Sequence, residues 1–231
     1  MRTKSQQSSS FIRSILIITL ILMTSQAIYS QSVLSGLGVE IGGGYNQLFW
    51  QYPLPLPLSN DSRYDRTQFA LTLEARLKYD IGISENFNCI PFVGYNRFGG
   101  KSEDSPVLQN GMKLAQSSVW FDAFEAGLFI AYTISDFSFG IGYKANRHLK
   151  IMDWMSIPNV LSGSDINSSY NVTSQYRPWS HDAGLRISYR MSHYIISTES
   201  WFGISGLEGD GDLSKMNIRQ NHFRLLLGYT L

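Results

Sequence analysis

The clearest signal in this sequence is an alternation of apolar and polar residues. Between Phe69 and Ile81 every odd-numbered residue is apolar, whereas the even-numbered residues from Thr72 to Asp80 are polar or charged. Side chains on a β-strand point alternately to its two faces. A helix, with 3.6 residues per turn, would scatter these charges around its whole surface. The segment is therefore predicted to be a strand with one apolar and one polar face.

Seven other segments repeat the pattern, so the chain is predicted to be all-β with eight strands. Their apolar residues are expected to face outward. The third strand alternates poorly, and Pro91 within it lacks a backbone N–H donor, so a β-bulge is expected there. The predicted strands are Leu37–Trp50, Phe69–Ile81, Phe87–Phe98, Phe124–Ile134, Phe137–Asn146, Trp179–Arg190, Tyr194–Ile204 and Phe223–Leu231.

The connections between these strands alternate between short and long. Short turns follow strands two, four and six, at Gly82–Asn86, Ser135-Asp136 and Ser192-His193. Long loops follow strands one, three, five and seven, at Gln51–Arg66, Gly99–Ser118, Leu149–Pro178 and Ser205–Asn217. This rhythm, with an even strand number, is typical of an antiparallel, up-and-down transmembrane β-barrel with short periplasmic turns and long extracellular loops. Strands of a dozen residues exceed the ~9–11 needed to cross a bilayer. The walls are therefore expected to project beyond the membrane on the loop side.

The last predicted strand carries five apolar residues on one face: Phe223, Leu225, Leu227, Tyr229 and Leu231. In a barrel this strand pairs with the first strand and leaves no free edge. A soluble β-sandwich, which would bury the apolar face under a second sheet, is the alternative fold.

The amino-terminal residues have the pattern of a secretory signal peptide. Positive residues precede a short apolar core, Ile15–Met23, and small residues follow it. Cleavage is predicted after Ala27 or Ser30, so residues 1–30 are assigned to the leader and 31–231 to one barrel domain. A retained membrane anchor is the alternative, although the apolar core is short for a bilayer span.

Composition narrows the class of protein further. Aromatic residues make up 13% of the chain, which contains 20 glycines, and both features suit strands, tight turns and a crowded barrel interior. Mean hydropathy is slightly negative and no long apolar run follows the leader, which excludes a helical membrane protein. The net charge of +1 offers no electrostatic attraction for nucleic acid. Cys89 is the single cysteine, so no intramolecular disulfide can form.

The inward face of the predicted barrel is rich in charge of both signs. Eight strands leave an interior just wide enough for side chains to fill, and buried charges must pair. An ion-pair network is therefore predicted to plug the lumen; a narrow channel for small or apolar solutes, opened when the pairs rearrange, is the alternative. The predicted network comprises Glu40, Glu74, Arg76, Lys78, Glu125, Lys144, Arg186, Arg190, Glu199 and Arg224.

The sequence offers little catalytic or metal chemistry. A serine hydrolase needs a serine next to a histidine, but Ser180 and His181 are consecutive on a strand and face opposite ways. The four histidines are scattered, with no cysteine partner or i,i+4 spacing for a metal. No catalytic, cofactor-binding or metal-binding residues are predicted, and an enzyme is the third functional hypothesis.

Aromatic residues at the strand ends predict girdles at the two membrane interfaces. The loop-end girdle is assigned to Trp50, Trp120, Trp179 and Trp201, and the turn-end girdle to Tyr79, Tyr132, Phe137, Tyr189 and Tyr194. A second hypothesis treats Trp154, Tyr170 and Tyr176 as an aromatic patch that binds carbohydrate or another ligand.

With its leader, eight strands, loop rhythm and apolar tail, the chain resembles the small bacterial outer-membrane β-barrels of the OmpX, OmpA and OmpW type, often called porin-family barrels. The resemblance covers the mature chain and implies a monomer in the outer membrane of a Gram-negative cell envelope, surrounded by lipid. It implies a structural role, or surface interaction through extracellular loops, although some such barrels modify lipid A. It also implies that the barrel-assembly machinery recognises the terminal strand, which in the family usually ends in Phe and here ends in Leu231.

Overall fold

The computed structural model describes residues 36–51, 64–66, 68–101, 116–158, 165–209 and 217–231, and the predicted leader lies outside these residues. Eight long strands form the fold. They are β1 (Leu37–Gln51), β2 (Ala70–Tyr79), β3 (Phe87–Lys101), β4 (Gln116–Ile134), β5 (Phe137–Pro158), β6 (Trp179–Met191), β7 (Tyr194–Gly203) and β8 (Asn217–Thr230).

Each strand pairs with its sequence neighbours in antiparallel orientation, and β8 also pairs with β1. The closing register runs from Gly38 opposite Thr230 to Gln51 opposite Asn217. The sheet is thus a closed, up-and-down, eight-stranded barrel, as the sequence predicted. Closure leaves neither β1 nor β8 with an unpaired edge along this register.

Two of the short connections are two-residue hairpin turns. Ser135 and Ser192, the first central residue of each turn, have φ angles of 53° and 55°. Positive φ at this position is typical of the primed turns whose twist matches that of paired strands. The third short connection, after β2, includes a two-residue strand, Ile81–Gly82, that continues the pairing with β3.

The strands are longer on the loop side than predicted. β4 has 19 residues and β5 has 22, and Asp165–Asn171 pairs with the end of β5. Part of the predicted loop Leu149–Pro178 is therefore strand, and Tyr64–Arg66 similarly pairs with β1 inside the first predicted loop. These parts were missed because apolar and polar residues are mixed on both faces there, so the alternation disappears. The barrel wall therefore extends on the loop side beyond the predicted strand ends.

The predicted bulge at Pro91 is wrong. The register of β3 with β4 is continuous through Pro91, and on the other side the pairing keeps the same offset before and after Pro91. Ile90 and Phe92 face the lumen, and Cys89 and Val93 face outward. The irregularity lies instead between β4 and β5, where the register shifts at Asp122/Ala123. Bulges commonly occur near the rims of barrels.

The outer surface of the barrel carries a broad apolar band. Ile41, Leu73, Leu185 and Leu227 are each more than half exposed although they lie within strands. Aromatic pairs border the band near the short turns, including Phe137–Tyr189 and Tyr194–Tyr229. Above the band the outward positions turn polar, at Gln47, Arg97, Asp122, Arg147, His181 and Asn221. In the described part of the chain, no helix has the length and apolarity of a membrane span.

Candidate functional site

The lumen is filled with charged side chains at the short-turn end and in the middle. Nine of the ten residues assigned to the lumen network are buried there, and the exception is Arg190. The Arg190 side chain is 51% exposed and contacts Asp80 at 2.8 Å at the turn-end rim. Arg190 is therefore a rim residue, because the last inward position of β6 already lies at the mouth.

Two acids and two arginines form the first cluster. Glu40 of β1 contacts Arg76 of β2 and Arg186 of β6, each at 2.6 Å. Glu199 of β7 lies across the lumen and pairs with the same two guanidinium groups, contacting Arg186 at 2.6 Å. Both arginines bridge both acids, so the cluster ties four strands together across the lumen. Lys78 links it to the rim, 3.7 Å from Glu40 and 3.1 Å from Asp80.

A second cluster lies above the first. Arg76 contacts Glu74 at 3.0 Å, and Glu74 pairs with Arg224 of β8. Arg224 also contacts Glu125 of β4 at 3.3 Å. Lys144 of β5 lies 3.0 Å from Glu125 and 3.7 Å from Asp182 of β6. Glu74 therefore joins the two clusters into one continuous network.

The network balances its charge. Six acids and six bases take part: Asp80, Glu40, Glu74, Glu125, Asp182, Glu199 and Lys78, Arg76, Lys144, Arg186, Arg190, Arg224. Desolvation of a charge costs several kcal/mol unless an opposite charge and hydrogen bonds compensate it. The interior can therefore fold only when its acidic and basic side chains are paired. Asp80 and Asp182 were not assigned to the network from sequence.

An aromatic layer packs against these charges. Phe92, Phe129 and Trp201 are buried and contact one another, with ring centroids 5.0–6.1 Å apart. Arg76 lies over the Phe92 ring at 4.5 Å, and Lys144 lies over the Trp201 ring at 4.8 Å. Cations over aromatic faces gain electrostatic stabilisation, especially when desolvated.

Each ring of this layer lies opposite a glycine on the neighbouring strand. The cross-strand pairs are Phe92 with Gly127, Phe129 with Gly142, and Trp201 with Gly184. A Cβ atom built on any of these glycines would overlap the facing ring. The glycines therefore provide the space in which the rings lie against the wall.

Asp182 anchors the polar layer above the rings. Asn146 donates a hydrogen bond to it at 2.9 Å, and Gln220 donates one at 3.0 Å. All three side chains are fully buried. Their bonds connect β5, β6 and β8 across the lumen.

Ser180 and His181 point to opposite sides of the wall, as predicted. His181 faces outward, where its Nδ1 is 2.7 Å from the Tyr143 hydroxyl. Ser180 faces the lumen, with its Oγ 3.1 Å from Nε2 of His148. Nδ1 of His148 lies 2.6 Å from the backbone carbonyl of Arg177, which can only accept, so Nδ1 carries the proton and Nε2 of the neutral ring accepts from Ser180. Sequence reasoning missed this pair because 32 positions separate its members.

An apolar cluster, here called the cap, lies at the loop end of the lumen. Phe98 and Phe121 stack at 4.9 Å, and His148 and His222 lie edge-on to Phe98. Residues from the connections complete the cap from outside the strands: Val172 and Leu207 are buried, and Tyr176 lies 5.1 Å from Phe121. The members of the cap are Leu48, Phe98, Val119, Phe121, Ala123, Ile151, Val172, Leu207 and Ile218. These buried apolar residues thus lie together at the loop end of the lumen.

Two aromatic predictions are wrong. Trp201 is fully buried in the lumen, because outward positions on β7 are even-numbered from Tyr194 onward. The Trp154, Tyr170 and Tyr176 side chains do not form one patch. Trp154 is paired with Ser169 and Tyr170 with Asp153 on the opposite face, while Tyr176 packs into the cap. Trp179 is exposed at the edge of the band, Trp120 is half-buried on the outer wall, and the Trp50 side chain lies outside the described residues.

Four of the five apolar residues assigned to the terminal strand lie on β8 and face outward, and Leu231 follows its last residue. Phe223, Leu225, Leu227 and Leu231 are more than half exposed, and Tyr229 is 40% exposed and contacts the rings of His193 and Tyr194. The inward positions of β8 are buried and include Arg224 and Leu226. Among the described residues, no group of three His, Cys, Asp or Glu side chains is placed to hold a metal ion.

No protein-family model and no curated protein sequence matches this chain. The structure itself nevertheless establishes the architecture. It is a closed, all-antiparallel, eight-stranded barrel with an apolar outer band and a charged interior. The chain has the fold of the small outer-membrane β-barrels.

The chain is similar, at low sequence identity, to several solved structures. The attachment invasion locus protein Ail of Yersinia pestis is 14% identical, with 85% of this chain and 99% of that chain covered and a TM-score of 0.42. Neisserial surface protein A is 11% identical, with 85% and 98% covered and a TM-score of 0.45. The outer membrane protease OmpT of Escherichia coli is 12% identical, with 86% and 97% covered and a TM-score of 0.46.

Proposed function

We propose that this protein is an integral outer-membrane barrel whose lumen is plugged by its own side chains. It acts as a structural element of the envelope or through surface interactions of its loop end. One observation carries the proposal: buried charges from seven of the eight strands form a single network across the lumen. The apolar cap above this network adds a second barrier to water and ions.

The outer surface supports the location. Ile41 and Leu73 lie within strands with more than 60% of their surface exposed, which is costly in water and stable against acyl chains. The proposed location also rests on the signal-peptide pattern of residues 1–30. In this proposal the surrounding partners are outer-membrane lipids, the terminal strand is recognised by the barrel-assembly machinery, and the closed barrel is a monomer that does not bind nucleic acid.

A narrow channel is the second candidate, favoured by a specific set of polar atoms. Among the described residues, both ring nitrogens of His222, Nε and Nη2 of Arg224 and Oε1 of Glu125 have no hydrogen-bond partner although they are buried. Unpartnered buried polar groups cost ~1–3 kcal/mol each, which water in the middle of the lumen would relieve. We favour the plug because the cap and the first charge cluster lie on either side of this region.

We propose no catalytic role. The Ser180–His148 pair has the hydrogen bond of an activated serine, yet both side chains are at most 4% exposed and the apolar cap lies between them and the loop end. A substrate would have to open the cap to reach Ser180. The pair instead satisfies two polar groups within the interior.

Membrane fractionation and heat-modifiable gel migration test the proposed location. The protein should fractionate with the outer membrane and migrate as a compact band until it is boiled. Recovery in the soluble periplasmic fraction would overturn the proposal. Liposome swelling in isotonic sugars separates the plug from the channel, because a plugged barrel admits no sugar.

A further inference from the structure

A groove lies on the outer wall of the barrel, on the loop side of the apolar band. It runs across the outward faces of β3, β4 and β5 and of the segment Asp165–Asn171. Its lining includes Lys101, Ser118, Trp120, Trp154, Ser156 and Asn167. The cross-strand pairs Lys101–Ser118, Ser118–Trp154 and Ser156–Asn167 bring these outward positions together.

The groove stands well above the membrane. On β5, Arg147 marks the end of the apolar band, and Trp154 lies seven positions further along the strand. At a rise of ~3.3 Å per residue this corresponds to ~23 Å along the tilted strand. Trp154 is therefore too far from the band to serve as an interfacial anchor, although it is 47% exposed. Its exposure needs another explanation.

The floor of the groove is held in place. Trp120 lies directly opposite Gly99 on β3, and a Cβ atom on Gly99 would come within 3.1 Å of the indole. The guanidinium of Arg97 lies over the same indole, 5.6 Å from its centre. A ring fixed between a bare backbone and a cation loses little freedom when a ligand binds.

The chemistry of the lining matches a sugar ring. Aromatic faces pack against the C–H faces of a sugar, while hydroxyl and amide groups such as Ser118 and Asn167 bond its hydroxyls. The cavity volume of about 250 Å³ lies below the ~300–1,000 Å³ typical of drug-sized ligands and suits one ring of a longer chain. Lys101 is exposed and forms no ion pair with an acid among the described residues, so it can receive an anionic substituent.

The wall below the groove indicates where such a chain is attached. From the membrane outward, β3 and β4 present apolar Tyr95 and Phe124, then Arg97 paired with Asp122 at 3.6 Å, and then the groove. An amphiphile with acyl chains, an anionic headgroup and a sugar chain has the same order of chemistry. The groove also opens sideways from the barrel wall, towards neighbours in the same leaflet.

We propose that this groove binds a sugar ring in the anionic oligosaccharide chain of a glycolipid that stands beside the barrel. Trp154 packs on the ring, Trp120 borders it as the floor of the groove, Ser118 and Asn167 bond its hydroxyls, and Lys101 pairs with a phosphate or carboxylate on the chain. The glycolipid source rests on the proposed outer-membrane location, whereas recognition of the sugar ring rests on the groove alone.

Equilibrium binding to the full-length barrel in phosphatidylcholine nanodiscs tests this proposal. The probes are rough lipopolysaccharide, the oligosaccharide released from it by mild acid, the same oligosaccharide after dephosphorylation, and lipid A. The variants are Trp154→Ala, Trp120→Ala and Lys101→Gln. Trp179→Ala is the matched control, because Trp179 is an outward tryptophan of similar exposure that lies outside the groove. Heat-modifiable migration verifies that each variant is folded.

Wild-type protein and Trp179→Ala should bind lipopolysaccharide and the released oligosaccharide equally well. Trp154→Ala and Trp120→Ala should each weaken oligosaccharide binding by about tenfold or more, and Lys101→Gln should weaken binding of the phosphorylated form only. The proposal is overturned if wild type binds neither probe, if Trp154→Ala binds as tightly as wild type, or if lipid A binds as tightly as lipopolysaccharide. Binding of the free oligosaccharide without lipopolysaccharide binding would overturn the glycolipid source. Fractionation outside the outer membrane, with oligosaccharide binding that depends on Trp154, would reject the proposed function and leave the sugar site standing.

Discussion

Trp201 on β7 lies directly opposite Gly184 on β6, and its indole covers the position that a Gly184 side chain would occupy. The indole N–H donates a hydrogen bond to Glu199 at 2.8 Å, and the Lys144 ammonium lies over its face. The glycine thus allows one buried ring to reach both charge clusters. Phe129 with Gly142 and Phe92 with Gly127 repeat the arrangement on adjacent strands.

Adding a methyl group at Gly184 should therefore destabilise the barrel. In Gly184→Ala the new Cβ atom overlaps the Trp201 ring, and overpacking of this kind costs ~1–3 kcal/mol. The free energy of unfolding, measured by urea titration in liposomes, should fall by that amount. Gly140→Ala is the matched control, since Gly140 is also buried but its nearest Cβ contact would be an ordinary 3.4 Å. Equal losses in both variants would refute the ring–glycine packing.

Removal of one charge from the network should cost more than removal of a rim charge. In Arg186→Met, Glu40 and Glu199 each lose a buried partner, and breaking a buried pair typically costs ~3–5 kcal/mol. Arg190→Met removes a half-exposed partner of Asp80 and should cost no more than ~1 kcal/mol. The same urea titration measures both. A loss at Arg190 equal to that at Arg186 would contradict the burial assigned to the network.

The assignment of the lipid-facing side can be tested on β8 alone. Leu227 is 53% exposed within the apolar band, so Leu227→Arg should lower the free energy of unfolding in liposomes by ~2–4 kcal/mol if it lies near the midplane. Asn221 points the same way above the band, and Asn221→Arg should change stability by less than ~1 kcal/mol. If both positions tolerate arginine equally, the band does not face lipid.

Recognition of the terminal strand makes a kinetic prediction. Tyr229→Ala should slow folding into membranes that contain the barrel-assembly machinery, because Tyr229 belongs to the proposed recognition face. Tyr194→Ala is the control. The Tyr194 ring packs against the Tyr229 ring, with centroids 5.5 Å apart, but Tyr194 lies on β7. The appearance of the compact gel band with time gives both rates. A slowdown of equal size in Tyr194→Ala would assign the effect to packing and not to recognition.

The parts of this fold that the sequence reveals are those where one face is apolar and the other polar. Strand number, order and the turns at Ser135 and Ser192 follow from that contrast. The contrast vanishes above the membrane, so the upper half of β5 and the segment Asp165–Asn171 looked like loop.

The interior is less predictable than the wall. The alternation of faces along each strand identified nine buried lumen charges. It could not specify that Glu40 meets Arg186 from the far side of the barrel. Contacts across a lumen depend on side-chain length and on the position of each residue along the barrel axis. Trp201 was assigned to the outer girdle because it lies near a strand end, although its odd-numbered position on β7 faces the lumen. The Ser180–His148 contact joins residues with no shared motif.

The most direct test of the account is the single-channel conductance of the purified barrel in a planar bilayer, with a known porin in the same bilayer system as the positive control. A lumen closed by the paired charges around Arg76 and Arg186 and by the cap around Phe98 and Phe121 should give no stable open current. A reproducible open-channel current from wild-type protein, with a folded, heat-modifiable band in the same preparation, would contradict the plugged lumen.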